Sequence, residues 1–185
     1  MVWVNCFPFL GWIDWCGWTT TIQYDRPEPH PVGGVALFIK DSIPHSPCTA
    51  LTPPHPLGIP LWLPLYSHLM FICVLYRPPN SDDSIYTSLS EKMDQLLSSH
   101  PNSLFLLCGD FNCHHASWLG VGTSQTCHGT LAKDFCDSLG MTQSVNFPTQ
   151  ISTNGTPSLL DLIFHKFPWK YLFFFSNWFI WPHAC

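Results

Sequence analysis

Apolar runs bounded by glycine, proline and small polar residues recur along the chain. The run Leu104-Phe105-Leu106-Leu107 leads through Cys108 to Gly109 and then Asp110-Phe111-Asn112. A short, continuous apolar run of this kind predicts a buried strand, and Gly109 lets the backbone turn at its end. In extended backbone Asp110 and Asn112 share one side, while Phe111 points the other way, into the fold. Residues 70–76 (Met-Phe-Ile-Cys-Val-Leu-Tyr) predict a second buried strand, with Tyr76 and Arg77 at its exit and Pro78-Pro79 stopping the pairing. Residues 35–40, opened by Gly33-Gly34, predict a third. Residues 158–164 predict a last one with a single acid, Asp161, inside it, and residues 141–145 a short one.

Helical spacing appears twice. Ser81-Asp82-Asp83 reads as a helix start, since Asp is favoured near the positive end of the dipole, and Ile85, Leu89, Met93, Leu96 and Leu97 follow on one stripe. A second helix is predicted to start at Gly129, with Leu131, Phe135 and Leu139 spaced by four and Gly140 as the residue after its end. Strand, helix and strand in succession predict an α/β fold, which places ligands beyond strand ends.

Proline and tryptophan interrupt this pattern elsewhere. Pro27, Pro29 and Pro31 make a loop, residues 44–64 read as a long surface connection, and residues 146–149 as a turn. Residues 1–23 and 167–185 carry most of the nine tryptophans, show neither period, and read as stretches outside the domain, unrelated or disordered. The first lacks a basic lead and is broken by Asp14, so it does not read as a signal peptide. No run approaches the ~18 apolar residues of a spanning helix. The expectation is an intracellular protein, nuclear or cytoplasmic, with no membrane partner.

A length of 185 residues suits one domain. Net charge is −5 with seven Lys plus Arg and no basic cluster, which argues against strong nucleic-acid affinity. Nine scattered cysteines without a CxxC read as reduced thiols. Cys108, Cys113, His114, His115, Cys127 and His128 are zinc-type donors, but their spacing follows no usual zinc pattern and they are not read as a site. Asp110 and Asn112 alone fit either a turn or a site. A carboxylate such as Asp161 among large apolar residues must be paired, hydrogen-bonded or metal-linked.

Together these residues resemble the endonuclease/exonuclease/phosphatase family, and within it the endonuclease domains of non-LTR (LINE-type) retrotransposons. The resemblance covers residues 24–166. It rests on residues 33–39, Leu75-Tyr76-Arg77-Pro78-Pro79, residues 107–118 (Leu-Cys-Gly-Asp-Phe-Asn-Cys-His-His-Ala-Ser-Trp), Gly129 with Leu131, Asn146-Phe147-Pro148-Thr149, and Leu160-Asp161-Leu162-Ile163. It implies a four-layered α/β sandwich, two packed sheets flanked by helices, here incomplete. It also implies cleavage of phosphodiester or phosphomonoester bonds with Mg²⁺ or Mn²⁺. Asp110 would act on the attacking water and the metal. Asn112 would hold that aspartate and the phosphate, Tyr76 would bond a phosphate oxygen, and Asp161 would orient an imidazole. Arg77, His114 and His115 would contact substrate. DNA would be the ancestral partner, with a reverse transcriptase fused in the parent element.

The chain departs from that pattern at both ends. The family's metal-binding Glu lies on an early strand, yet here only Glu28, in the proline loop, and Glu91, in the first helix, occur. Its closing Ser-Asp-His segment is absent; His165 and His183 lack the aspartate neighbour. An impaired or inactive endonuclease is therefore expected. The alternatives are an inactive remnant serving as an interaction module, and a phosphomonoesterase or phosphoinositide phosphatase of the same superfold.

Overall fold

The computed structural model describes residues 2–5, 20–25, 34–39, 44, 59–65, 70–79, 81–119, 125–151 and 157–166. Three strands come first: β1 (Val2–Asn5), β2 (Thr20–Asp25) and β3 (Gly34–Ile39). They form an antiparallel sheet in the order β1-β3-β2. The larger sheet begins with β4 (Ile59–Leu65) and β5 (Met70–Tyr76). Helix α1 (Ser84–Ser99) then crosses to the parallel strand β6 (Leu104–Asp110). After it come the short helix α2 (Ala116–Leu119), helix α3 (Cys127–Ser138) and β7 (Thr142–Gln143). The two-stranded hairpin β8 (Gln150–Ile151) and β9 (Pro157–Ser158) precedes the last strand, β10 (Asp161–Lys166). The five-stranded order is β4-β5-β6-β10-β7.

Alternation along β5 and β6 separates two apolar faces. Phe71, Cys73, Leu75, Phe105 and Leu107 join Ile85, Leu89, Met93 and Leu96 of α1 and Ala132, Phe135 and Cys136 of α3 in one core. The opposite face, with Ile72, Val74, Leu106 and Cys108 all buried, turns toward the first sheet, where β3 packs on β5 and β1 on β6. The fold is an α/β sandwich of two packed sheets, and among the described residues helices cover one side of it. No helix among those residues is long and apolar enough to cross a membrane.

Several sequence expectations are corrected here. The stretch 44–64 is not all connection, because β4 lies largely within it and pairs with β5 along its whole length. Its Pro60 and Pro64 hid it. They are tolerated because β4 is an edge strand, where one side needs no donors. The N-terminal stretch 1–23 supplies β1 and most of β2, so the boundary at residue 24 falls inside a strand; four residues of Val-Trp-Val-Asn are too few for a period to register. Helix α3 starts at Cys127, two residues before Gly129, with the Thr126 hydroxyl accepting from Gly129 N–H at 3.0 Å. Of the expected stripe, Phe135 and Leu139 are buried and Leu131 is exposed, and Ala132 and Cys136 complete the buried face. Gly140, at φ +64°, ends the helix in the left-handed region. Residues 167–185, Glu28 and His183 lie outside the described residues.

Candidate active site

The ends of three neighbouring strands meet at one edge of the larger sheet. Tyr76, the last residue of β5, is the register partner of Asp110, the last of β6, and Asp110 is in turn the partner of Asp161, the first of β10. Register partners lie about 4.5–5.5 Å apart at Cα and share a face of the sheet. Tyr76, Asp110 and Asp161 thus form a row at the end of the larger sheet, on the face turned toward the first sheet, although 85 residues of sequence separate its ends.

Close backbone approach makes the row feasible. Gly109 has φ +142° and packs against β5 so tightly that an added Cβ would meet the Leu75 carbonyl oxygen at 1.8 Å. Beyond Asp110 the chain leaves the sheet. The Asn112 N–H donates to Asp110 Oδ1 at 3.0 Å, and the Asn112 amide Nδ2 donates to the Arg77 carbonyl at 2.8 Å. Asn112 holds φ +46°, a conformation that Asn tolerates better than most residues. Phe111 faces the core, fully buried, and meets Phe164 edge-on at 5.3 Å.

The electrostatics are those of two crowded acids. Burial, and after it the charge of Asp161, push the Asp110 carboxyl up to about 7; the bonds from Asn112 and the Arg77 charge pull against them. Burial also raises Asp161, opposed by a hydrogen bond with Thr149. The Thr149 hydroxyl accepts from the N–H groups of both Leu160 and Asp161, at 3.2 and 3.1 Å. Thr149 therefore fixes the entry into β10. The sequence places Thr149 in a turn and in one of the segments of the resemblance, and neither signals this role.

Arg77 differs from expectation. It is 0% exposed, and its guanidinium donates to the carbonyls of Ser81 at 3.0 Å and Phe111 at 3.4 Å. Its backbone N–H donates to the Asp110 carbonyl at 2.8 Å. It braces the Asp110–Asn112 loop from beneath, a burial that no sequence pattern announces, and does not present its charge to a ligand. His114 ties the loop to α3 through its backbone, donating to Thr126 Oγ1 at 3.1 Å and accepting from Thr126 N–H at 3.0 Å. The His115 ring is engaged locally: Nδ1 lies 2.7 Å from Ser117 Oγ and accepts from Ser117 N–H at 3.2 Å, and the ring leans on Trp118. His165 is buried on β10 opposite Leu106, four residues along the strand from Asp161 and so about 13 Å away. It is not an imidazole that Asp161 can orient. Glu91 is exposed on α1, within a helix that packs on the opposite face of the sheet from the row.

A hard divalent cation suits the donor set, two carboxylates at a partly buried strand end, because among the described residues the Arg77 charge is not enough to keep Asp110 in its usual range.

A profile of the family described as "Endonuclease-reverse transcriptase" matches residues 70–170, more than half of the chain. No curated protein matches the sequence. Among solved structures, the endonuclease domain of TRAS1, a telomere-specific non-LTR retrotransposon, is similar at TM-score 0.55 and 15% identity, over 78% of this chain and 64% of that one. A 3'-5' exonuclease (NExo) from Neisseria meningitidis is similar at TM-score 0.54 and 14% identity, over 81% and 67%. A mannosyl-6-phosphatase from Bacteroides thetaiotaomicron is similar at TM-score 0.51 and 16% identity, over 82% and 63%. The chain thus spans about two thirds of the length of these structures, and the likeness is one of fold.

Proposed function

The chain belongs to the endonuclease-reverse transcriptase family, and from that premise we propose that it is a retrotransposon-derived endonuclease-like domain. On this reading it keeps the central part of a phosphodiesterase site and is impaired as a nuclease. One observation carries the reading: Tyr76, Asp110 and Asp161 occupy adjoining register positions, with Asn112 bonded to Asp110.

The roles follow from chemistry. Without a bound ion the Asp110 carboxyl is pushed up to about 7, in the range for taking a proton from an attacking water near neutral pH, and an ion held there would lower it. Asn112 holds Asp110 in place and has a second amide hydrogen for a phosphate oxygen. The Tyr76 hydroxyl is a further donor for that phosphate. Mg²⁺ or Mn²⁺, held by Asp110 with Asp161 beside it, would supply positive charge against the phosphate. Asp161 has the position to orient an imidazole, and the family's Ser-Asp-His segment that would provide one does not occur in these 185 residues. The strand-borne Glu of the family pattern has no counterpart among the described residues, where the one Glu, Glu91, lies on α1. With seven basic residues in all and Arg77 buried, DNA affinity is expected to be weak.

Neighbours in fold include a phosphatase, so substrate class needs its own test. The Tyr76-Arg77-Pro78-Pro79 and His114-His115-Ala116-Ser117-Trp118 segments favour the nuclease lineage. Turnover of a model phosphodiester and a model phosphomonoester, with Mg²⁺ or Mn²⁺, separates the two. Turnover of the diester is expected to stay at the level of Asp110→Ala. Turnover confined to the monoester, and lost in the same variant, would favour the phosphatase reading.

A further inference from the structure

Cys127 and His128 are zinc-type donors whose spacing in the sequence follows no zinc pattern, and the fold brings a third donor to them. Asp83 occupies the N-cap position of α1, yet its side chain does not cap that helix. Asp82 contacts the first turn instead, accepting from Ser84 N–H at 2.9 Å. The Asp83 carboxylate reaches across to α3, where Oδ1 lies 2.6 Å from His128 Nδ1. Thr126 caps α3, so Cys127 and His128 are its first two helical residues. Ligand atoms of Asp83, Cys127 and His128 all lie within 4.8 Å of one another.

We infer that Asp83, Cys127 and His128 form a binding site for a divalent transition-metal ion of the Zn²⁺ type. Ligand atoms around a tetrahedral zinc lie about 3.3–3.8 Å apart, given bonds of about 2.0–2.3 Å. The Asp83–His128 pair would open from 2.6 Å and the contacts of Cys127, within 4.8 Å, would close, by side-chain shifts of about 1 Å. Sulfur, imidazole nitrogen and a carboxylate oxygen together select a borderline ion over Mg²⁺. Cys127 is exposed, and the Asp83 and His128 side chains are 41% and 28% exposed, so an ion has a path in. On binding, the thiol proton passes to solvent as the thiolate ligates, and the proton that His128 Nδ1 shares with Asp83 passes to Nε2 or to solvent, which frees the nitrogen lone pair. Three protein ligands leave a fourth position for water.

Such an ion would clamp the start of α1 to the start of α3. Both lead to the catalytic loop: Arg77 Nη2 lies 3.9 Å from Asp83 Oδ1 while bracing Phe111, and Thr126 bonds His114. The inference does not depend on the proposed nuclease ancestry.

The test is Co²⁺ titration of the reduced 185-residue chain, followed by displacement with Zn²⁺. A thiolate-to-cobalt charge-transfer band is expected in the parent chain and in Asp110→Ala, and is expected to vanish in Cys127→Ser. Asp83→Asn and His128→Gln should each weaken binding about tenfold or more, since even outer partners of a metal site are worth that much. Zn²⁺ should raise the melting temperature of the parent chain but not of Cys127→Ser. Circular dichroism of each variant checks that it folds. A cobalt band of unchanged affinity in folded Cys127→Ser would overturn the assignment, as would a parent chain that binds neither ion.

Discussion

Replacing Asp110 with Asn should stabilise the fold at alkaline pH while removing the proposed base. The Asp110 carboxyl rises from 3.8 to about 7 in the folded chain. The folded state therefore binds a proton more tightly than the unfolded state. Stability from this group is fully present below about pH 4 and is lost as pH rises through about 7. At 1.36 kcal/mol per pKa unit the full span is worth about 4 kcal/mol. Partial hydration at the sheet end reduces this, and about 1–3 kcal/mol is the expected gain of the variant at pH 8. The Asn side chain retains an oxygen for the Asn112 N–H, so that bond is not sacrificed. Near pH 4, where the folded carboxyl is neutral, the two proteins should have nearly equal stability. Urea unfolding of both at pH 4, 6 and 8 measures the difference. An Asn variant less stable at pH 8, or a difference that does not grow with pH, would refute the account of two crowded acids.

Other substitutions probe the supports of the site. Gly109→Ala should cost about 3 kcal/mol or more and lower soluble yield, because the new Cβ meets the Leu75 carbonyl at 1.8 Å. Gly140→Ala, at φ +64° but in open space, should cost only about 1 kcal/mol; equal losses in the two would contradict the close approach. Arg77→Met should lose about 2–4 kcal/mol in urea unfolding, since the Ser81 and Phe111 carbonyls lose their donors; a neutral effect would remove its bracing role. Thr149→Val should lose about 1–3 kcal/mol by orphaning the Leu160 and Asp161 N–H groups, and unchanged amide-exchange protection at Asp161 would count against it.

The parts legible in the sequence are those with long uninterrupted signals. β5, α1 and β6 followed from apolar runs and one stripe, and all three are in place. Asp161 was noticed because an acid among large apolar residues is costly, although its pairing with β6 is a long-range contact that local pattern does not encode. β4 was lost because Pro60 and Pro64 signal a break, and only the edge position makes them harmless. The start of α3 came two residues earlier than Gly129 because Thr126 was not weighed as a cap. Arg77 beside Tyr76 suggested a substrate contact, but its direction depends on the Phe111 and Ser81 carbonyls, which tertiary structure places. The Asp83–His128 contact joins residues 45 apart and follows no spacing rule.

Plasmid nicking tests the central claim most directly. Asp110, Asn112, Tyr76 and Asp161 are present, whereas no Ser-Asp-His segment occurs in these 185 residues and, among the described residues, no strand carries a Glu. Residues that act as a unit fail together, so a loss of several orders of magnitude is expected from the missing parts. The purified 185-residue chain, incubated with supercoiled DNA and Mg²⁺ or Mn²⁺, should leave the circles closed, as Asp110→Ala does. Nicking by the parent chain that disappears in Asp110→Ala would contradict the account, and would mean that other groups of this chain supply the roles of the absent Glu and His.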